Sequence, residues 1–82
     1  MGCSSVLTFQ LDSPAEALAL FSALSPEAAD ALPKARASVA QEGDATIVVR
    51  VEAVDAPSLR AGVNSYLRWA KAALDAARIG AR

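Results

Sequence analysis

Residues 34–41 (KARASVAQ) and 44–53 (DATIVVRVEA) alternate in character and flank the short connection Glu42-Gly43-Asp44. Two alternating runs joined by a few residues containing glycine predict a β-hairpin, which constrains the fold more than any other feature of the chain. In the second run Ile47, Val49 and Val51 point one way, and Thr46, Val48, Arg50 and Glu52 the other. The more apolar run belongs in the middle of a sheet. The first carries Lys34 and Arg36, charges typical of an edge strand.

Upstream, residues 4–11 (SSVLTFQL) alternate with Leu7, Phe9 and Leu11 on one side, which predicts a half-buried strand. A helix start follows. Ser13 is placed to cap, Pro14 fits the first turn, and Glu16 completes an S-x-x-E capping box. Ser25-Pro26 is expected to end this helix after Leu24 and leave the stretch to Pro33 as a loop. Asp55 caps a last helix that runs to about Ile79 and stops at Gly80, a length of roughly 35 Å.

The order is β-α-β-β-α. A right-handed crossover sets the first two strands parallel, and the hairpin sets the third antiparallel to the second. The expected fold is therefore α+β, a split βαβ unit in which a three-stranded sheet of order 1-3-2 carries both helices on one face. Residues 1–82 form a single domain. Twenty of the 82 residues are alanine, so the core is thin, and domains of this kind often gain stability from a partner.

The last helix has a curious surface. On a helical wheel Leu59, Val63, Tyr66, Leu67, Ala70, Ala73, Leu74 and Ala77 share the side expected to face the sheet. Arg60, Asn64, Arg68, Lys71, Asp75 and Arg78 form a polar stripe beside it. The third sector, Ala61, Ser65, Trp69, Ala72, Ala76 and Ile79, carries no charge. The first helix shows the same division more faintly. Ala17, Leu18, Phe21 and Leu24 are expected inside, with Ala15, Ala19, Ser22 and Ala23 outside. Small side chains admit a second helix closely, and an exposed tryptophan is a good anchor. Ala15, Ala19, Ala23, Ala61, Ser65, Trp69, Ala72 and Ala76 are therefore the expected partner-binding surface. Gly62, at its seam with the core side, would allow close backbone approach. Trp69→Ala or Ala72→Glu should weaken that contact and leave the fold intact.

Net charge is −1, divided as −5 through Asp55 and +4 beyond it. The basic excess falls on the last helix, where Arg60, Asn64, Arg68 and Lys71 form a candidate RNA contact. The same stripe equally suits the solvated flank of an interface helix. The open sheet face, with Thr8, Gln10, Ser38, Thr46 and Arg50, offers no aromatic platform for stacking bases.

Enzymatic chemistry finds little support. There is no histidine, which removes Ser-His-Asp and Cys-His schemes, and with one cysteine it removes thiolate and imidazole zinc sites. No phosphate-binding glycine motif is present. Asp12, Glu42, Asp44 and Asp55 sit at turns and caps, and Glu27 and Asp30 belong to a solvated loop. A lone Cys3 suggests a reducing compartment, and the opening MGCSSV has Val6 where a myristoylation signal wants Ser or Thr. With no signal peptide and no apolar run of about 20 residues, the expectation is a cytoplasmic protein without a membrane association.

Leu59-Arg60-Ala61 followed by Asn64-Ser65-Tyr66-Leu67-Arg68-Trp69 resembles the signature of the Pcc family of small KEOPS subunits. Identifiable motif lies in residues 55–73, while length and element order match over the whole chain. The resemblance implies a non-catalytic subunit, without cofactor of its own, of the complex that installs N6-threonylcarbamoyladenosine beside the anticodon of certain tRNAs. It further implies a homodimer whose helices pack on those of the catalytic ATPase-fold subunit and which helps to hold tRNA. The acidic first 55 residues depart from what an RNA-gripping subunit would show. Two alternatives stand beside this reading: a stand-alone RNA-binding split βαβ module, and a diverged paralogue of the KEOPS subunit.

Overall fold

The computed structural model describes residues 2–29 and 34–80, without the side chains of 26–29 and 78–80. Its elements are β1 (Cys3–Gln10), α1 (Pro14–Ala29), β2 (Ala35–Gln41), β3 (Thr46–Ala53) and α2 (Ala56–Gly80). Asp30, the stretch from there to Pro33, and Arg82 lie outside the described residues, as do the side chains of Glu27, Arg78 and Ile79.

Both outer strands pair antiparallel with β3, giving the expected order β1-β3-β2, so β1 and β2 run the same way. The register sets Leu7 and Val39 on either side of Val49, and Ser5 and Ala37 on either side of Val51. These rows face the helices. The alternate rows, Ser4–Glu52–Arg36, Val6–Arg50–Ser38 and Thr8–Val48–Ala40, face away from them. The hairpin closes with the Glu42 N–H donating to the Thr46 carbonyl at 2.9 Å, and Gly43 takes a φ of 75° that a side chain would strain.

The core consists of Ala17, Leu20 and Leu24 from α1, Ile47, Val49 and Val51 from β3, and Tyr66 and Ala70 from α2. Tyr66 is the largest fully buried side chain. Its ring brings a large apolar area to a core in which Ala17 and Ala70 contribute little of their own.

Helix α1 begins as expected: Ser13 Oγ accepts from the Glu16 N–H at 3.2 Å, and Glu16 reaches back to accept from the Asp12 N–H at 3.1 Å. It does not end as expected. The helix continues through Ser25-Pro26 to Ala29. Proline removes one helical hydrogen bond, but Pro26-Glu27-Ala28-Ala29 is otherwise a good first-turn sequence. The Ser25 hydroxyl donates back to the Phe21 carbonyl at 2.8 Å, binding the turn that proline loosens.

The inward face of α1 also differs from the expected one. Leu20 is fully buried and Leu18 is 60% exposed. Ala17, Leu20 and Leu24 form the buried row at i, i+3 and i+7, and Leu18 falls with Ala15 and Ser22 on the outward side. On α2 the buried row is Gly62, Tyr66 and Ala70, and Leu67 lies at its border, 45% exposed.

Candidate interaction surface

Helix α2 is held by its cap. Asp55 accepts from the Ser58 N–H at 2.8 Å, and the Ser58 hydroxyl, that N–H and the charge of Lys34 keep its carboxyl below the usual range. From this start the helix lies across the sheet and against α1. Its apolar spacing decides which arcs reach solvent.

The uncharged sector of α2 divides in two. Ala61, Ala72 and Ala76 are exposed and Ser65 is partly so. Trp69 is half-buried, packs against the core cluster, and meets Tyr66 edge-to-face with ring centroids 5.0 Å apart at 76°. It is thus not the free-standing anchor the sequence suggests. With Gly62 and Tyr66 both buried, the burial stripe is centred toward this flank, and the indole covers the margin of the core. Trp69→Ala should therefore disturb the fold, whereas Ala72→Glu alters only a surface. On α1, Ala15 and Ala23 are exposed and Ala19 is half-buried. Both helices thus turn small, uncharged residues outward from the same layer. Leu18 adds an apolar group to the outward side of α1, and sequence reasoning missed it. The signal was the Ala17–Leu20–Leu24 spacing, which leaves Leu18 no place inside.

The polar stripe of α2 is as expected in position. Arg60, Asn64, Arg68 and Lys71 are all exposed, spaced three or four residues apart, and adjoin Ala61 and Ala72. The four are not electrically equivalent. Lys71 Nζ pairs with Asp75 at 2.9 Å, so much of its charge is compensated. Arg68 makes only a long contact, 3.5 Å, to the Ser65 hydroxyl, and neither Arg60 nor Arg68 has a carboxylate partner among the described residues. Any anion meeting this helix would find those two guanidinium groups first.

Among the described residues no group of His, Cys, Asp or Glu could hold a metal ion. No described helix is long and apolar enough to cross a membrane. What the described geometry offers is surface for contact on the helix layer.

Comparison with known proteins bears on the same helix. A segment of 46 residues, 56% of the chain, is 46% identical to the KEOPS complex subunit Pcc1 of Pyrococcus abyssi. That segment spans 55% of the archaeal protein's own length. The model of the family described as "Transcription factor Pcc1" matches residues 4–78, from the first strand into the last turns of α2. A match from Ser4 to Arg78 takes in nearly all of the three described strands and both helices, well over half of the chain, and the chain belongs to the Pcc1 family.

Proposed function

We propose that this chain is a non-catalytic scaffold subunit of a KEOPS-type assembly, supporting formation of N6-threonylcarbamoyladenosine in tRNA. Its helix layer receives helices of the catalytic ATPase-fold subunit through Ala15, Ala19, Ala23, Ala61, Ser65, Ala72 and Ala76. Trp69 stiffens the margin of that surface. The observation that carries the reading is the exposed, charge-free set of Ala61, Ala72 and Ala76 beside the polar stripe on the outer side of α2. Membership of the Pcc1 family and the name of the archaeal relative support the same choice.

Two further roles complete the proposal. The chain pairs with a second copy through one of the uncovered sheet edges, β1 or β2, which extends a sheet too small to be robust alone. It also helps to hold tRNA through Arg60, Asn64, Arg68 and Lys71, with most of the attraction from the two arginines. A transcription role, suggested by the family description, would call for a helix that reads base edges. The α2 face beside the arginines is alanine, which suits a packed helix better.

Light scattering tests the proposal directly. The purified chain should be a dimer, and should gain one or two copies of the catalytic KEOPS subunit from the same organism. Ala72→Glu should weaken that association more than about tenfold, because a buried, unpaired carboxylate costs upward of about 2 kcal/mol. A monomer indifferent to the catalytic subunit would overturn the scaffold reading. Salt-dependent tRNA binding by that monomer, lost in the Arg60→Glu/Arg68→Glu double variant, would establish the stand-alone RNA module in its place.

A further inference from the structure

The sheet face turned away from the helices carries charge that the proposed function does not use. Across β2 and β3 the register sets Arg36 opposite Glu52 and Ser38 opposite Arg50. Arg36 and Arg50 thus lie on one diagonal of an antiparallel pair, on the same face, at a separation long side chains span easily. Between them is a depression of about 170 Å³ lined by Arg36, Ala37, Ser38, Arg50 and Glu52. Arg36, Ser38, Arg50 and Glu52 are all exposed.

Two features make this more than a polar patch. Glu52 is the natural partner for either arginine, yet among the described residues neither guanidinium forms an ion pair with it. The depression therefore holds two positive charges against one negative, with both arginines free to accept an anion. Its size is the second feature. Pockets for drug-sized ligands run from roughly 300 to 1,000 Å³, so this one suits a single compact group. Guanidinium forks match the oxygens of a phosphate bidentately, and a serine hydroxyl adds a donor between them.

We propose that this depression binds one phosphate oxyanion, with Arg36 and Arg50 donating from two sides and the Ser38 hydroxyl from the floor. Glu52 opposes the anion at the rim and keeps binding weak and reversible. The site lies on the opposite face of the sheet from the helix layer, so it stands or falls independently of the scaffold reading. The phosphate could arrive as the free ion or as one phosphodiester of an RNA strand, and the chemistry of capture is the same.

The test uses the full chain, with the arginine Nε–H resonances followed by NMR. Inorganic phosphate is titrated against chloride at constant ionic strength, and a short single-stranded RNA is titrated in a second arm. Phosphate or RNA should shift the Arg36 and Arg50 signals saturably, while chloride should not. Arg50→Gln or Arg36→Gln should weaken binding about tenfold or more, since each removes a charge-assisted hydrogen bond to the anion. Glu52→Gln should tighten it several-fold. Unchanged melting curves for the variants confirm that the fold is intact. Saturation by phosphate identifies the free ion as a ligand. Saturation by RNA alone identifies a backbone phosphate.

Three results would overturn the site: no saturable shift with either ligand, an equal response to chloride, or arginine variants that bind as well as the parent. A fourth would reassign the arginines to a contact between copies: variants that dissociate a dimer with no phosphate-dependent signal in the parent.

Discussion

The two helices cover the same sheet and were not equally legible. On α2 the large apolar residues repeat cleanly over 25 residues, so its polar stripe and uncharged sector could be drawn before any coordinates. On α1, 16 residues long, alanine and leucine alternate almost side by side, and two neighbouring stripes serve equally well on a wheel. Packing chose between them. Leu20 went in and Leu18 out. The lesson is that periodicity identifies a buried face only when polar residues mark the opposite one, and before its last turn α1 has only Glu16 and two serines to do so.

The sharpest way to break the comparison is to remove the side chain each helix contributes most to the core. Tyr66→Ala should cost about 3–5 kcal/mol and Leu20→Ala about 2–5 kcal/mol, either one a large part of a small domain's stability. Leu18→Ala should move stability by no more than about 0.5 kcal/mol. Urea melts of the three variants check this. A Leu18 variant as damaging as the Leu20 one would return the inward face of α1 to the one expected from the wheel.

Proline 26 tests whether α1 is one helix or a broken one. The continuous helix predicts that Pro26→Ala stabilises, because a missing hydrogen bond to the Ser22 carbonyl is restored. The gain should approach the cost of an interior proline, about 3 kcal/mol, less whatever local bending has already relieved. A loss of stability would mean that Pro26 fixes a turn. Calorimetry decides between the two.

Much of the architecture was readable because backbone chemistry fixed it locally. Gly43 at positive φ, Ser13 and Asp55 as caps, and the alternation from Thr46 to Ala53 each act within a few residues. Strand order followed from these with one rule of handedness. What could not be read were balances between distant parts. Ser25-Pro26 is locally a stop, and only the burial of Leu24 together with the Ser25–Phe21 bond shows why the helix passes through it. Trp69 was placed on the correct flank of α2, but how far the core extends along that flank depends on Tyr66 and on α1 beyond it. Alternation alone put Ser38 and Arg50 on the open face, but that Arg36 falls diagonal to Arg50, with neither paired to Glu52, depends on the register of the hairpin across 14 positions.

Trp69 supplies the next prediction, a smaller one. Its ring lies half inside, so Trp69→Ala should lower stability by about 1–3 kcal/mol, part of a fully buried aromatic's value. Trp69→Phe should recover most of this by keeping a ring against Tyr66. Ala72→Glu, three residues on and fully outside, should leave the melt unchanged within about 0.5 kcal/mol. Only the last is a clean probe of partner binding. A neutral Trp69→Ala would restore the tryptophan to the role of a free anchor.

The smallest expected effect concerns the caps, where the two helices differ in chemistry. Ser13 caps α1 with a group that does not ionise, and Asp55 caps α2 with one that does. The Ser58 hydroxyl, the Ser58 N–H and Lys34 hold the Asp55 carboxyl below its ordinary value of 3.8. A carboxyl lowered in the folded state contributes its stability fully above that ordinary value and loses it as pH falls through the lower, folded one. The start of α2 should therefore loosen in acid below pH 3.8, while the start of α1 does not loosen through its serine. Asparagine caps nearly as well as aspartate but does not titrate in this range. Asp55→Asn should be close to neutral at pH 7 and should flatten the acid limb of the stability curve. Hydrogen exchange of the Ser58 and Leu59 amides, followed from pH 5 down to pH 3, would locate the effect at that cap. An acid limb unchanged by the substitution would place the lost stability at the other carboxylates, and Asp55 would then be no more pH-sensitive a cap than Ser13.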